Sequence, residues 1–116
     1  MFDFQKLEVY KKSKVFYTDC KLVLSGKQVE RYVVDQLQRA AFSVILNIAE
    51  GSGKFSKLDR KNYFITARAS VFECVATLDV LCDEHHIQQA ESDKLILQAD
   101  ELSKMLFAMI KNLDVK

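Results

Sequence analysis

A chain of 116 residues, 49% hydrophobic and 28% charged, has the size and composition of one globular domain. It has no Pro and only three Gly, residues that punctuate strands and turns, and their scarcity favours a few long helices, so an all-α fold is expected. The net charge of +1 selects no class of partner, and the longest uncharged run, Ala40 to Ala49, has about half the length a membrane span needs.

The N-terminal stretch carries charge at Asp3, Lys6 and Glu8 and does not read as a signal peptide. Cys20, Cys74 and Cys82 are odd in number and lack paired spacing, which fits free thiols in a reducing compartment. A soluble, cytoplasmic protein is expected. Charge is uneven along the chain: residues 1–72 hold 13 Lys/Arg and 7 Asp/Glu, whereas residues 73–116 hold 4 and 9. Folding either pairs basic helices with acidic ones or leaves a basic face open to an anion.

Four segments repeat apolar residues at helical spacing, and none sustains a period of two. The first spans about 3–24, with Phe4, Leu7, Val15, Thr18 and Leu22 on one stripe, Asp3 as its N-cap and Ser25-Gly26-Lys27 as its stop. The second spans about 29–50 on Val34, Leu37, Ala41, Val44 and Ile48, and Gly51 is expected to end it in a left-handed conformation. The third spans about 56–85; Ser56 caps it with Asp59 reaching back, and Phe64, Ala67, Val71, Cys74, Leu78 and Leu81 form its inner stripe. The fourth, about 89–113, repeats the pattern with Leu95, Ala99, Leu102, Leu106, Met109 and Leu113. Residues 1–116 then form a single all-α domain, an antiparallel up-down-up-down left-handed four-helix bundle, because short connections bring sequential helices side by side.

No motif carries catalysis. "GSGK" at 51–54 lacks the spacing and preceding strand of a phosphate-binding loop, so a hinge between helices is the better account. Cys82, His85 and His86 are the best metal-ligand candidates, but adjacent histidines on a helix do not face one centre and no second ligand pair is spaced for zinc. No catalytic residue, cofactor or metal is assigned.

The second helix is more informative. Gln36, Arg39, Ser43, Asn47 and Glu50 follow at offsets of three, four, four and three, a continuous polar stripe. Phe42, Ile45, Leu46 and Ala49 lie outside the core stripe, so around 40–49 the helix is apolar on most sides. Such a helix is covered on most sides, and a second copy of the chain is expected over it. The polar seam then needs partners: hairpin register sets Arg39 within a turn of Glu73, predicting an Arg39–Glu73 ion pair, with Asn47 fixing register. Basic residues cluster separately, at Lys54, Lys57, Arg60, Lys61 and Arg68 and at Lys11, Lys12 and Lys14, interleaved with Tyr10, Phe55 and Tyr63. Cations with stacking rings are the composition of a surface that contacts nucleic-acid phosphates, RNA or DNA. The alternative is a structural scaffold that binds another protein without nucleic acid.

"FQKLEVYKKSKVF", "QLQRAAFSVILNIAEGSGKFS" and "YFITARASVFECVATLD" together resemble a bacterial four-helix bundle family. Its members include proteins encoded in intervening sequences of 23S rRNA genes and, more distantly, the accessory variability protein of diversity-generating retroelements. The resemblance covers nearly the whole chain and is carried by Gln36, Arg39-Ala40, Ser43 and Asn47 to Gly51. It implies a homopentameric, barrel-like ring, and its retroelement relatives are basic, bind nucleic acid and associate with a reverse transcriptase. Two positions depart from the family pattern: Ile45 stands where Pro is common before the Asn, and Ala69 where Gly is common before the Ser of the third helix.

Overall fold

The first residues do not join the first helix. In the structure, a computed structural model that describes residues 1–114, Asp3–Lys6 form a separate 3-10 turn and Leu7 is extended, at φ −70° and ψ 133°. Asp3 is therefore not the N-cap of a long helix; Gln5 accepts a hydrogen bond from the Phe2 N–H at 2.8 Å and closes the small turn. Helix α1 is Glu8–Leu24, α2 is Arg31–Ser52, α3 is Lys57–Asp83 and α4 is Gln89–Asn112. No strand occurs among the described residues.

The stripe expected on α1 is displaced. Val15 and Leu22 are exposed, while Val9, Ser13, Phe16, Cys20 and Leu24 are buried. Both sets keep helical spacing, so the choice between them rests on what each can bury. Phe16 at the centre removes a large ring from water, and Ser13 is tolerated there because its hydroxyl donates to the Tyr10 carbonyl at 2.7 Å. The inner stripes of α2, α3 and α4 follow the sequence spacing, with Leu37, Val44, Ile48, Leu78, Leu81, Leu102 and Leu106 fully enclosed.

Each helix end has its own device. Gly26, at φ +73°, turns the chain after α1. Ser56 Oγ accepts from the Asp59 N–H at 3.2 Å and caps α3. At the other end of α3, His85 takes φ +62° while its N–H donates to the Cys82 carbonyl and that of His86 to the Leu81 carbonyl. This is a Schellman ending with His where Gly is usual. Glu91 closes the start of α4 by accepting from the Gln88 N–H at 2.9 Å.

Gly51 departs from its expected role. Helix α2 runs on through it to Ser52, and Gly53 is the C-cap at φ −87°. What Gly51 supplies is proximity: a Cβ built there would lie 2.8 Å from Phe64 Cε1 and 2.9 Å from Tyr63 Cβ. The glycine lets α2 and α3 meet at their turn.

Packing contacts link α1 with α2, α2 with α3, α3 with α4 and α4 with α1, and among the described residues no diagonal pair meets. Residue numbers rise on one helix as they fall on the next: Gln36 meets Glu73 and Ser43 meets Ser70, then Arg68 meets Ser103 and Cys82 meets Gln89. The result is a four-helix body with extents of 47 × 29 × 22 Å and its apolar core between the helices. None of its described helices is long and apolar enough to cross a membrane.

Candidate nucleic-acid interface and the polar seam

The polar stripe of α2 splits into a paired part and a free part. Gln36 Nε2 donates to Glu73 Oε2, the Ser43 and Ser70 hydroxyls are 3.0 Å apart, and Asn47 Nδ2 donates to the Ser43 carbonyl at 2.8 Å and lies 3.0 Å from its Oγ. These groups form the seam between α2 and α3, with Ser70 buried inside it. Arg39 and Glu50 belong to the same sequence pattern but are exposed and make no ion pair among the described residues.

The expected Arg39–Glu73 pair is thus replaced by Gln36–Glu73. Gln36 lies on the side of α2 that faces α3, whereas Arg39, three residues on, has turned outward, and the hairpin register alone does not separate the two. Asn47 spends its amide on its own helix, so the seam's contacts across the helices are Gln36–Glu73 and Ser43–Ser70. The sequence spacing puts Ser43 in the seam but does not single out Ser70 as its partner.

Folding gathers the basic candidates at one end, where α1 begins, α2 ends, α3 begins and α4 ends. Segments 1–15, 42–66 and 101–114 hold ten Lys/Arg and six Asp/Glu, while segments 16–41 and 67–100 hold six and ten. The lengthwise imbalance of the sequence has become a charge separation along the bundle axis.

Within the basic end the side chains divide by what they touch. Lys12 donates to Glu101 at 3.0 Å and Lys61 to Asp114 at 2.6 Å, so acidic residues of the C-terminal half neutralise them. The Lys61 contact also holds the Asp114 carboxyl below its ordinary range. Lys11 lies 3.7 Å from Glu8 with both side chains exposed. Arg68 is engaged elsewhere: its Nε donates to the Ser103 carbonyl at 3.2 Å, and its guanidinium carbon lies 4.8 Å from the Phe72 ring centroid and 5.4 Å from that of Phe107. Arg60 Nε is buried and finds no partner among the described residues.

Lys14 and Lys54 instead sit over tyrosine rings, 4.9 Å from the Tyr10 centroid and 5.1 Å from that of Tyr63. Lys57 is exposed beside the turn, without an ion pair among the described residues, and the Phe55 ring projects fully into solvent there. Of the basic candidates, the exposed ones without an ion pair among the described residues are therefore Lys14, Lys54 and Lys57, each close in sequence to an aromatic ring. The Cys82, His85 and His86 group does not assemble: no cluster of three or more His, Cys, Asp or Glu that would hold a metal occurs among the described residues.

The pattern of 23S rRNA-intervening sequence proteins matches residues 5–108. The chain belongs to that family. A solved structure with the same fold is a protein of unknown function from the S23 ribosomal protein family of Bacteroides thetaiotaomicron VPI-5482. It has a TM-score of 0.83 and 24% sequence identity, over 89% of this chain and 98% of that one. No curated protein matches the chain. In this 23S rRNA-intervening sequence protein the matched span includes the whole α2–α3 seam and ends within the last turns of α4.

Proposed function

We propose that this protein is a non-enzymatic, homo-oligomeric, cytoplasmic bundle that binds RNA or DNA by phosphate contacts at its basic end. Within it the helices run up-down-up-down, an arrangement supported by the cyclic neighbour order and the opposed residue numbering of adjacent helices, and the left-handed twist is the one expected of close antiparallel bundles. The observation that carries the binding reading is the axial separation of charge, with Lys14, Lys54 and Lys57 left unneutralised beside Tyr10, Tyr63 and Phe55. Phosphates are attracted to such an end without base-specific contacts, and the exposed Phe55 ring offers stacking to an unpaired base.

The oligomer is supported by apolar residues that the protomer leaves in water, Phe42 and Leu46 on α2 and Ile65, Phe72 and Val80 on α3. A pentameric ring is the form implied by the family resemblance. Repetition of the basic end around a ring multiplies weak contacts into useful avidity. The second reading, a scaffold for another protein without nucleic acid, draws on the same exposed apolar surface.

Fluorescence anisotropy with mixed-sequence RNA and single-stranded DNA separates the two. About four phosphate contacts give a loss of roughly 50–150-fold in affinity between 50 and 200 mM salt. Replacing Lys54, Lys57 and Lys14 together by Glu is expected to abolish binding with the mass unchanged. Absence of binding at the lower salt removes the nucleic-acid reading and leaves the scaffold.

A further inference from the structure

Two outward stripes, one on α2 and one on α3, are complementary to each other, and we propose that they form the contact between successive copies of this chain. The inference rests on the oligomer reading and adds to it the faces, the register and the ion pairs.

Helix α3 carries a second apolar stripe that its inner spacing conceals. Ile65, Ala69, Phe72, Ala76 and Val80 recur at offsets of four, three, four and four on the side away from the core, and all are exposed, Phe72 by 54%. On α2 the outward line is Arg39, Phe42, Leu46 and Glu50, with Phe42 46% and Leu46 43% exposed. A helix with apolar residues on opposite sides requires cover on both.

The charges fix how the two lines meet. Arg39 and Glu50 are eleven residues apart on α2, and Arg68 and Asp79 are eleven apart on α3, a rise of about 16 Å in each case. Laid antiparallel, α2 of one copy on α3 of the next, Arg39 meets Asp79 while Glu50 meets Arg68. The same register sets Leu46 on Phe72 and the Phe42 ring over the small Ala76, a large side chain at a position that makes room for it. Arg39, Glu50 and Asp79 have no ion pair among the described residues, and Arg68 donates internally only through Nε. Arg39, Glu50 and Asp79 are therefore available to the neighbour, and Arg68, held over the Phe72 and Phe107 rings, offers its terminal nitrogens, which make no hydrogen bond among the described residues.

The pairing also obeys symmetry. Within one protomer α2 and α3 run in opposite directions, and rotation about a common axis preserves this between protomers. The two faces are different surfaces, so each copy offers one face to each of two neighbours, the heterologous contact from which a ring is built when the rotation between copies closes. Farther along the same register Asp35 approaches Asp83, a like-charge contact moderated by Arg31, which lies 3.2 Å from Asp35.

The test is the mass of the full chain by size-exclusion chromatography with light scattering, over a dilution series, with circular dichroism to verify folding. Leu46→Arg is expected to yield a 13.3 kDa monomer that keeps its helicity. Arg39→Asp and Asp79→Arg alter exposed residues that make no internal ion pair, so the fold is retained, and each is expected to weaken assembly at least about tenfold. Combined in one chain they restore it, as an equimolar mixture of the two single variants also does in part. A wild-type oligomer that is insensitive to these changes, or a double variant that stays dissociated, overturns the interface while leaving the oligomer in place. A monomeric wild type overturns both, and wild-type mass with altered capture of nucleic acid assigns the faces to that ligand and overturns the proposal.

Discussion

Gly51 shows how one missing side chain positions two helices. An added methyl would press within 3.0 Å of Phe64 Cδ1 and Cε1 and 2.9 Å of Tyr63 Cβ. The Phe64 ring can turn aside, but the Tyr63 Cβ is fixed to its backbone, so relief requires the helices to part. Alanine is intrinsically the better helix residue by about 1 kcal/mol, yet crowding of this kind costs about 1–3 kcal/mol. Gly51→Ala is therefore expected to lower unfolding free energy in urea by up to about 2 kcal/mol. Gly53→Ala is the control, since its new methyl approaches nothing nearer than 3.6 Å and its φ of −87° suits any residue. A stabilised Gly51→Ala protein contradicts the close approach.

At the scale of elements, the chain depends on how its helices start and stop, and Glu91 ties two of these points together. Its carboxylate accepts from the Gln88 N–H at the start of α4 and lies 2.8 Å from Lys27 Nζ in the α1–α2 connection. The backbone hydrogen bond first, and then the Lys27 contact, hold its carboxyl below the ordinary 4.5. A carboxyl whose folded pKa is depressed contributes stability above its unfolded value, and that contribution fades as pH falls through the folded one. Glu91→Gln is expected to cost about 0.5–1 kcal/mol near neutral pH and progressively less as acid protonates the folded-state carboxyl, a convergence visible in urea unfolding over a falling pH series. A pH-independent difference shows that charge is not its contribution.

The helices themselves were legible in the sequence because apolar spacing and the lack of proline act locally. Their faces were less so. On α1 two stripes with the same spacing competed, and the burial of Phe16 against the neighbours decided between them. On α3 the outward stripe was hidden behind a strong inner one, since alanines at 69 and 76 pass as helix-forming residues until their exposure is known. The Gln36–Glu73 contact needed the rotation of each helix about its axis, which no spacing within one helix specifies.

Across the whole molecule the buried thiols report on integrity. Cys20 and Cys74 lie fully enclosed in the core, and burial pushes Cys74 up to about 12 and Cys20 further. Thiolate, the reactive form, is scarce at such sites. With Ellman's reagent at pH 8 one thiol per folded chain, the half-buried Cys82, is expected to react promptly. The other two should appear only as denaturant opens the bundle. Prompt reaction of three thiols in native buffer indicates a core that opens locally.

What the sequence by itself determined is the number of helices, their approximate limits, most of the inner stripes and the Ser56 cap, all of which follow from short-range spacing and composition, while the family rests on the likeness of whole stretches of sequence. Tertiary structure decided which α1 face is buried, that Gly51 serves contact rather than termination, and which cations remain free. It also converted a charge imbalance along the chain into one along the bundle axis. The division has a physical reason: helix formation is set within a few residues, whereas burial, pairing and net field depend on residues far apart in the chain that only packing brings together.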